Sequence, residues 1–507
     1  MATLLVGFGR AANSLRLTAR PSVASQCPFL FVPQAVLRTT PRPFSIASKA
    51  STWKKPHASA IPTSAFSRAR SFSSSPSKPE PKSGPKPAPP GSPLGALGNK
   101  IRQGEHHPPP PPVNDNATTD GHTTSKAFAI FMLASAASVF GIVVFGGLTR
   151  LTESGQEDWE AEFTLYKSSP EYALLNPHMD LEEFKKIYFM EWFHRVWGRF
   201  IGVSYFAGLL FFAARRRRSA ALTRPMFYGA SAVLLGIGMQ GFVGWWMVAS
   251  GLKDDLFAPG SHPRVSHYRL TIHLAMAFGI YTAMFLMGAR VLRNRSLLGK
   301  PEEAIKLITA LQRPELKTLR RLANALAALV FLTAMSGALV AGLDAGLIYN
   351  EFPMMGNGLA PPMKELFDKF YSRKEDGSDL WWRNILENPS TVQLDHRILA
   401  TTTLCAVLAL FAYSRTGRIA AVMPMSVKKG MTGVVHLTLM QVVLGISTLI
   451  YMVPIPLGAL HQAGSLLVLT GALGLAHRLH IPKRMIPHIE KRLSGMTKPT
   501  VNPPRKH

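Results

Sequence analysis

Four histidines stand inside or at the edge of long apolar runs: His194, His273, His396 and His461. An imidazole in hydrocarbon is costly without a partner, so an intramembrane histidine marks a functional site by default. The four are spread over separate runs, whereas zinc sites want tight ligand clusters. Two histidines from facing helices can instead supply both axial ligands of a haem iron. The chain holds enough for two such pairs. Interfacial hydrogen bonding to water or loop carbonyls is the other reading of any single one.

Charged residues flank these histidines. Arg195 and Arg397 each directly follow one. They fall near the surface where the propionates of an edge-on haem emerge, and a planar guanidinium binds a carboxylate in bidentate fashion. Headgroup contact is the alternative. Glu191 precedes His194 by three residues and shares its helix face, whereas the place before His396 holds the neutral Gln393. A carboxylate beside one site alone suits a division of labour, one site reacting and the other transferring electrons. Glu191 would accept or relay protons, or stabilise a cationic intermediate at a nearby carbon. A carboxylate favoured by the helix dipole is the structural alternative. His436 has no counterpart and reads as a packing or surface residue.

The elements that must position these groups are membrane spans. Of 507 residues, 47% are hydrophobic, and the apolar residues gather into runs long enough to cross a bilayer of roughly 30 Å. Eight runs qualify, near 127–148, 190–213, 226–249, 269–290, 322–341, 394–413, 430–452 and 457–477. The predicted fold is an all-α membrane protein with eight transmembrane helices. The net charge of +28 lies largely in the N-terminal region and in short loops. It therefore points to targeting and topology, and no nucleic-acid partner is expected.

The first stretch is basic, rich in Ser and Ala, and free of acids until Glu80. That is the composition of a mitochondrial transit peptide, assigned to 1–72. Residues 73–125 are Pro-rich and read as a disordered linker. The loops at Arg215 to Arg218, Arg290 to Arg321 and Arg415 to Lys429 are basic, as is the tail at 481–507. The first and third loops on the other side are acidic. The positive-inside rule then puts both termini in the matrix and the acidic loops, with Trp381 and Trp382, in the intermembrane space. Cys27 and Cys405 are the only cysteines, and no structural disulfide is expected.

A weak repeat links the halves 126–295 and 321–480 across a matrix loop at 296–320. Gly146-Gly147-Leu148, His194-Arg195, Gln240 with Gly244, and His273 recur as Ala341-Gly342-Leu343, His396-Arg397, Gln441 with Gly445, and His461. Two parallel-repeat four-helix bundles are expected, related about the membrane normal. Each histidine then falls within roughly the first turn or two of a helix that starts on the intermembrane-space side, at matched depth.

The stretches Gly146 to Thr152, Glu191-Trp192-Phe193-His194-Arg195, Gly244-Trp245-Trp246-Met247, Gly342 to Gly346, Asp395-His396-Arg397 and Leu460-His461-Gln462 resemble those of haem A synthase, mitochondrial form. The similarity covers about 127–480. It implies that His396 and His461 hold haem b, and that His194 and His273 hold the substrate haem O with Glu191 beside its reacting C8 methyl. It further implies successive oxidations to a formyl group, a ferredoxin-type electron donor and a product used in cytochrome c oxidase assembly. Haem O synthase and oxidase assembly factors are partners it suggests, with a homo-oligomer left open. The cysteine pair that many bacterial members carry in an outward-facing loop has no counterpart here. A two-haem b-type electron carrier and a transporter built from parallel repeats are the competing functions.

Overall fold

The computed structural model describes residues 124–152, 177–219, 222–251 and 264–497, with residues 163, 164, 166, 167 and 172. The expected leader, most of the linker and the end of the tail lie outside the described residues. Those described are helical apart from connections. Among the described residues eight helices are long and apolar enough to cross a membrane: α1 Lys126–Thr152, α2 Leu181–Ser219, α3 Arg224–Val248, α4 His267–Gly299, α5 Leu316–Gly342, α6 Pro389–Ser414, α7 Met425–Ile450 and α8 Ile455–Leu479. A helix satisfies its backbone polar groups within its own segment, one of the two ways a lipid environment permits. Three of them open on a proline within the first turn, where the missing N–H costs nothing. Asn388 caps α6 by accepting from the Ser390 N–H at 3.0 Å.

The helices close into two rings. α1 packs on α2 and α4, and α3 on α2 and α4; α5 packs on α6 and α8, and α7 on α6 and α8. Contacts between the rings run through α1, α4, α5 and α8. Polar contacts pin this seam: Tyr281 to Thr470 at 2.8 Å, Gln462 Nε2 donating to the Val143 carbonyl at 2.8 Å, and Arg293 donating to the His477 carbonyl. One apolar core runs through both rings, with Phe128, Tyr205, Phe278 and Leu466 among its fully enclosed side chains.

Boundaries differ from the sequence reading in two informative places. α2 begins at Leu181, well before its apolar stretch, because Glu182 and Glu183 favour a helix N-terminus. His194 consequently sits more than three turns into its helix, although it keeps its place at the edge of the apolar segment. The stretch expected as a matrix loop is mostly helical. α4 runs to Gly299, and Pro301–Leu311 forms an amphipathic helix that packs with Ile486–Thr497. Leu297, Ile305, Ile308, Ile489 and Leu493 make a small core between them.

The connection from α5 to α6 is held by its own polar network. Asp379 is 2% exposed; the Ser372 hydroxyl, and then Arg383, hold its carboxyl well below the usual carboxylate range. Glu365 accepts from Tyr349 at 2.8 Å and from Ser390 at 2.6 Å, which ties the connection to the start of α6. Trp381 and Trp382 lie on the helix Leu380–Glu387, with Trp381 exposed and Arg383 stacked on Trp382.

Candidate functional site

His396 and His461 meet in the second ring, their ring centroids 6.5 Å apart and their planes perpendicular. An iron midway between them, about 2 Å from each nitrogen, requires centroids a little over ~6 Å apart. The pair therefore fits a bis-imidazole haem. The surroundings hold each ring in position. Ser336 bonds Nδ1 of His396 at 2.8 Å, and Gln441 contacts Nδ1 of His461 at 3.1 Å while donating to the His461 carbonyl at 2.8 Å. With Nδ1 engaged, Nε2 of each ring is left for a metal, as outer partners of ligating histidines arrange it.

The first ring keeps the glutamine but engages the other nitrogen. Gln240 donates to the His273 carbonyl at 2.9 Å and contacts Nε2 of its ring at 3.3 Å. Nδ1 of His273 and Nδ1 of His194 are buried and lack a hydrogen-bond partner; the two rings lie on α4 and α2, both of which pack on α1 and α3. A buried imidazole nitrogen with nothing to bond costs free energy that a ligated iron would restore. Among the described residues no three His, Cys, Asp or Glu side chains converge on one point. Each donor set is thus a pair of imidazoles, which suits a haem and falls short of a closed zinc site.

Glycines make room for all four rings. A Cβ built on Gly146 would stand 2.7 Å from His194, on Gly244 2.9 Å from His273, on Gly337 3.0 Å from His396, and on Gly445 2.8 Å from His461. The sequence comparison placed Gly146 opposite Ala341, yet the residue that meets His396 is Gly337, about one turn along α5. Gly337 and Ser336 are the site residues that sequence reasoning missed. Their only signal is a pair of small residues in an apolar run. Overpacking a close contact costs about 1–3 kcal/mol, so Gly445→Val should lower the content of haem bound at His461 by about tenfold or more. Gly433→Val, on the same helix with nothing within 4 Å of its Cβ position, should leave it unchanged; pyridine haemochrome spectra of the purified variants provide the measurement.

The charged residues take up unequal tasks. Glu191 and Arg195, four apart on α2, form an ion pair beside His194. At the matching places on α6, Arg397 donates to Gln393 Oε1 at 3.3 Å. Its guanidinium also gathers the carbonyls of Tyr349 at 2.9 Å, Glu351 at 2.9 Å and Met354 at 3.0 Å. Gln393 donates to the Ala345 carbonyl at 2.8 Å. The second site is therefore covered by a chain segment locked onto Arg397 and Gln393, while the first carries an acid. His436 is bound to the Thr432 carbonyl at 2.8 Å and is exposed.

The chain matches the COX15-CtaA family, described as cytochrome oxidase assembly protein, over residues 155–473. It is 44% identical over 397 residues to the haem A synthase COX15 of Saccharomyces cerevisiae, covering 73% of this chain and 80% of that one. With the Homo sapiens COX15 it shares 41% identity over 373 residues, 70% of this chain and 83% of the relative. A haem A synthase–mitochondrial ferredoxin fusion protein of Schizosaccharomyces pombe is 45% identical over 404 residues, 75% of this chain and 64% of the fusion. Two imidazole pairs on an eight-helix frame and these similarities agree: the chain belongs to the COX15-CtaA family of haem A synthases.

Proposed function

We propose that this protein oxidises the C8 methyl of haem O to a formyl group, giving haem A for cytochrome c oxidase assembly. The observation that carries the reading is the asymmetry of two otherwise similar sites: Glu191 with Arg195 beside His194, against Gln393 with Arg397 beside His396. His194 and His273 hold the substrate haem, and His396 and His461 hold haem b. When bound, haem b supplies one-electron transfer. Glu191 takes up protons released as the methyl carbon is oxidised, and Arg195 keeps its carboxylate oriented between uses. Gln393 and Arg397 offer no such acid, so the second site conducts electrons without chemistry on its ring.

The recurring glutamine and glycine contacts support descent from a duplicated four-helix unit, with the halves at 126–295 and 321–480 as parallel repeats. The leader composition supports the mitochondrial inner membrane, both termini in the matrix and the four histidines toward the intermembrane space. Turning a methyl into a formyl group needs an external oxidant and an oxygen atom; we propose dioxygen as the oxidant, reduced with the help of electrons from a ferredoxin-type donor, a donor that the fusion relative named above supports. The deciding experiment is mass identification of the haems extracted from purified protein. Haem b together with haem O or haem A is expected. Two permanently bound haem b groups with neither of the others would identify a two-haem electron carrier, and absence of a Soret band would point to a transporter.

A further inference from the structure

Of the two arginines that the sequence offers for propionate binding, Arg195 is paired with Glu191 and Arg397 is turned toward four carbonyls of the segment 349–354. A third arginine belongs to the first ring. Arg269 precedes His273 by four residues on α4, so it lies on the same helix face, about 6 Å nearer the end where α4 starts. Its guanidinium stacks over Trp246 at 4.2 Å from the ring centroid, and one nitrogen donates to the Trp246 carbonyl at 2.6 Å. Trp246 stands two residues beyond Gly244, the glycine that meets the His273 ring. The tryptophan thus holds the cation close to the helix turn that precedes His273. The carbonyl uses one nitrogen and the indole one face of a group with five donors, which leaves an edge of the fork for a carboxylate.

The second site lacks this feature. His461, like His273, has a glutamine donating to its carbonyl and a glycine against its ring, but the residue four before it is Leu457. Arg269, like Glu191, therefore separates the two sites chemically. We propose that Arg269 binds a propionate of the substrate, so that the first site recognises the carboxylate edge of an iron porphyrin. This rests on the reading of His194 and His273 as the substrate site. The reacting methyl of haem O shares a pyrrole ring with one propionate, so anchoring that carboxylate fixes which methyl is presented to Glu191.

The test is a Soret titration of purified protein, its resident haem in place, with haem b and with haem b dimethyl ester, which lacks the carboxylates. Wild type should bind the free acid about tenfold more tightly than the ester. Arg269→Gln should bind both alike, at the level of the ester, with the His396–His461 haem unchanged as a control for folding. Arg269→Lys should keep most of the preference. A purely structural role, clamping α3 to α4, would weaken acid and ester equally and overturn the proposal, as would an acid preference that survives in Arg269→Gln. If wild type takes up no second haem of either kind, the substrate-site reading falls together with this one.

Discussion

Replacing Glu191 by Gln is expected to leave both haem sites loaded while haem A output falls by about 10²–10⁴, with haem O or a hydroxylated intermediate accumulating in the extracted pigments. The fold should tolerate the change, because the protein already contains it. At the matching place on α6, Gln393 accepts a hydrogen bond from Arg397 at 3.3 Å, and the amide introduced by Glu191→Gln can accept from Arg195 in the same way. What is lost is the capacity to hold and release a proton beside His194. Chromatography of extracted haems with mass detection provides the check. Normal haem A output from this variant would remove Glu191 from the chemistry and leave it as a partner for Arg195.

A ligand change should divide the two sites. In His396→Ala, haem b content is expected to fall by more than about a hundredfold, since even partners one shell further out are worth about 10–100-fold in metal affinity. His273→Ala should instead keep haem b and lose the exchangeable substrate haem. Both variants should make no haem A, for different reasons, and the absorption spectrum of the purified protein tells them apart. Equal loss of haem b in both would mean that the two pairs do not hold distinct haems.

Much of this architecture is legible in the chain. Apolar runs separated by basic and acidic loops suffice to count eight spans, because a run of about twenty apolar residues crosses a bilayer as a helix whose backbone polar groups are satisfied within the segment. The motifs around Gln240 and Gln441 were visible as repeats, and the structure gives them a physical meaning: each amide donates to the carbonyl of a histidine on the next helix. Less legible were Ser336 and Gly337, whose value depends on what faces them across a helix contact. Small residues in apolar runs usually serve packing alone. The start of α2 at Leu181 was missed for a related reason, since the helix extends as a polar segment beyond its apolar stretch.

The four histidines show where the division lies. Sequence alone determined their number, their separate spans and the asymmetry between Glu191 and Gln393, because residue type and spacing along a helix are local properties. Only the tertiary structure decided which histidine faces which and which nitrogens are engaged. It also showed that Arg195 pairs with Glu191, that Arg397 gathers backbone carbonyls, and that Arg269 is held against Trp246. These outcomes depend on which helix faces meet in the ring, and helix order around a bundle is set by packing between distant segments rather than by any one of them.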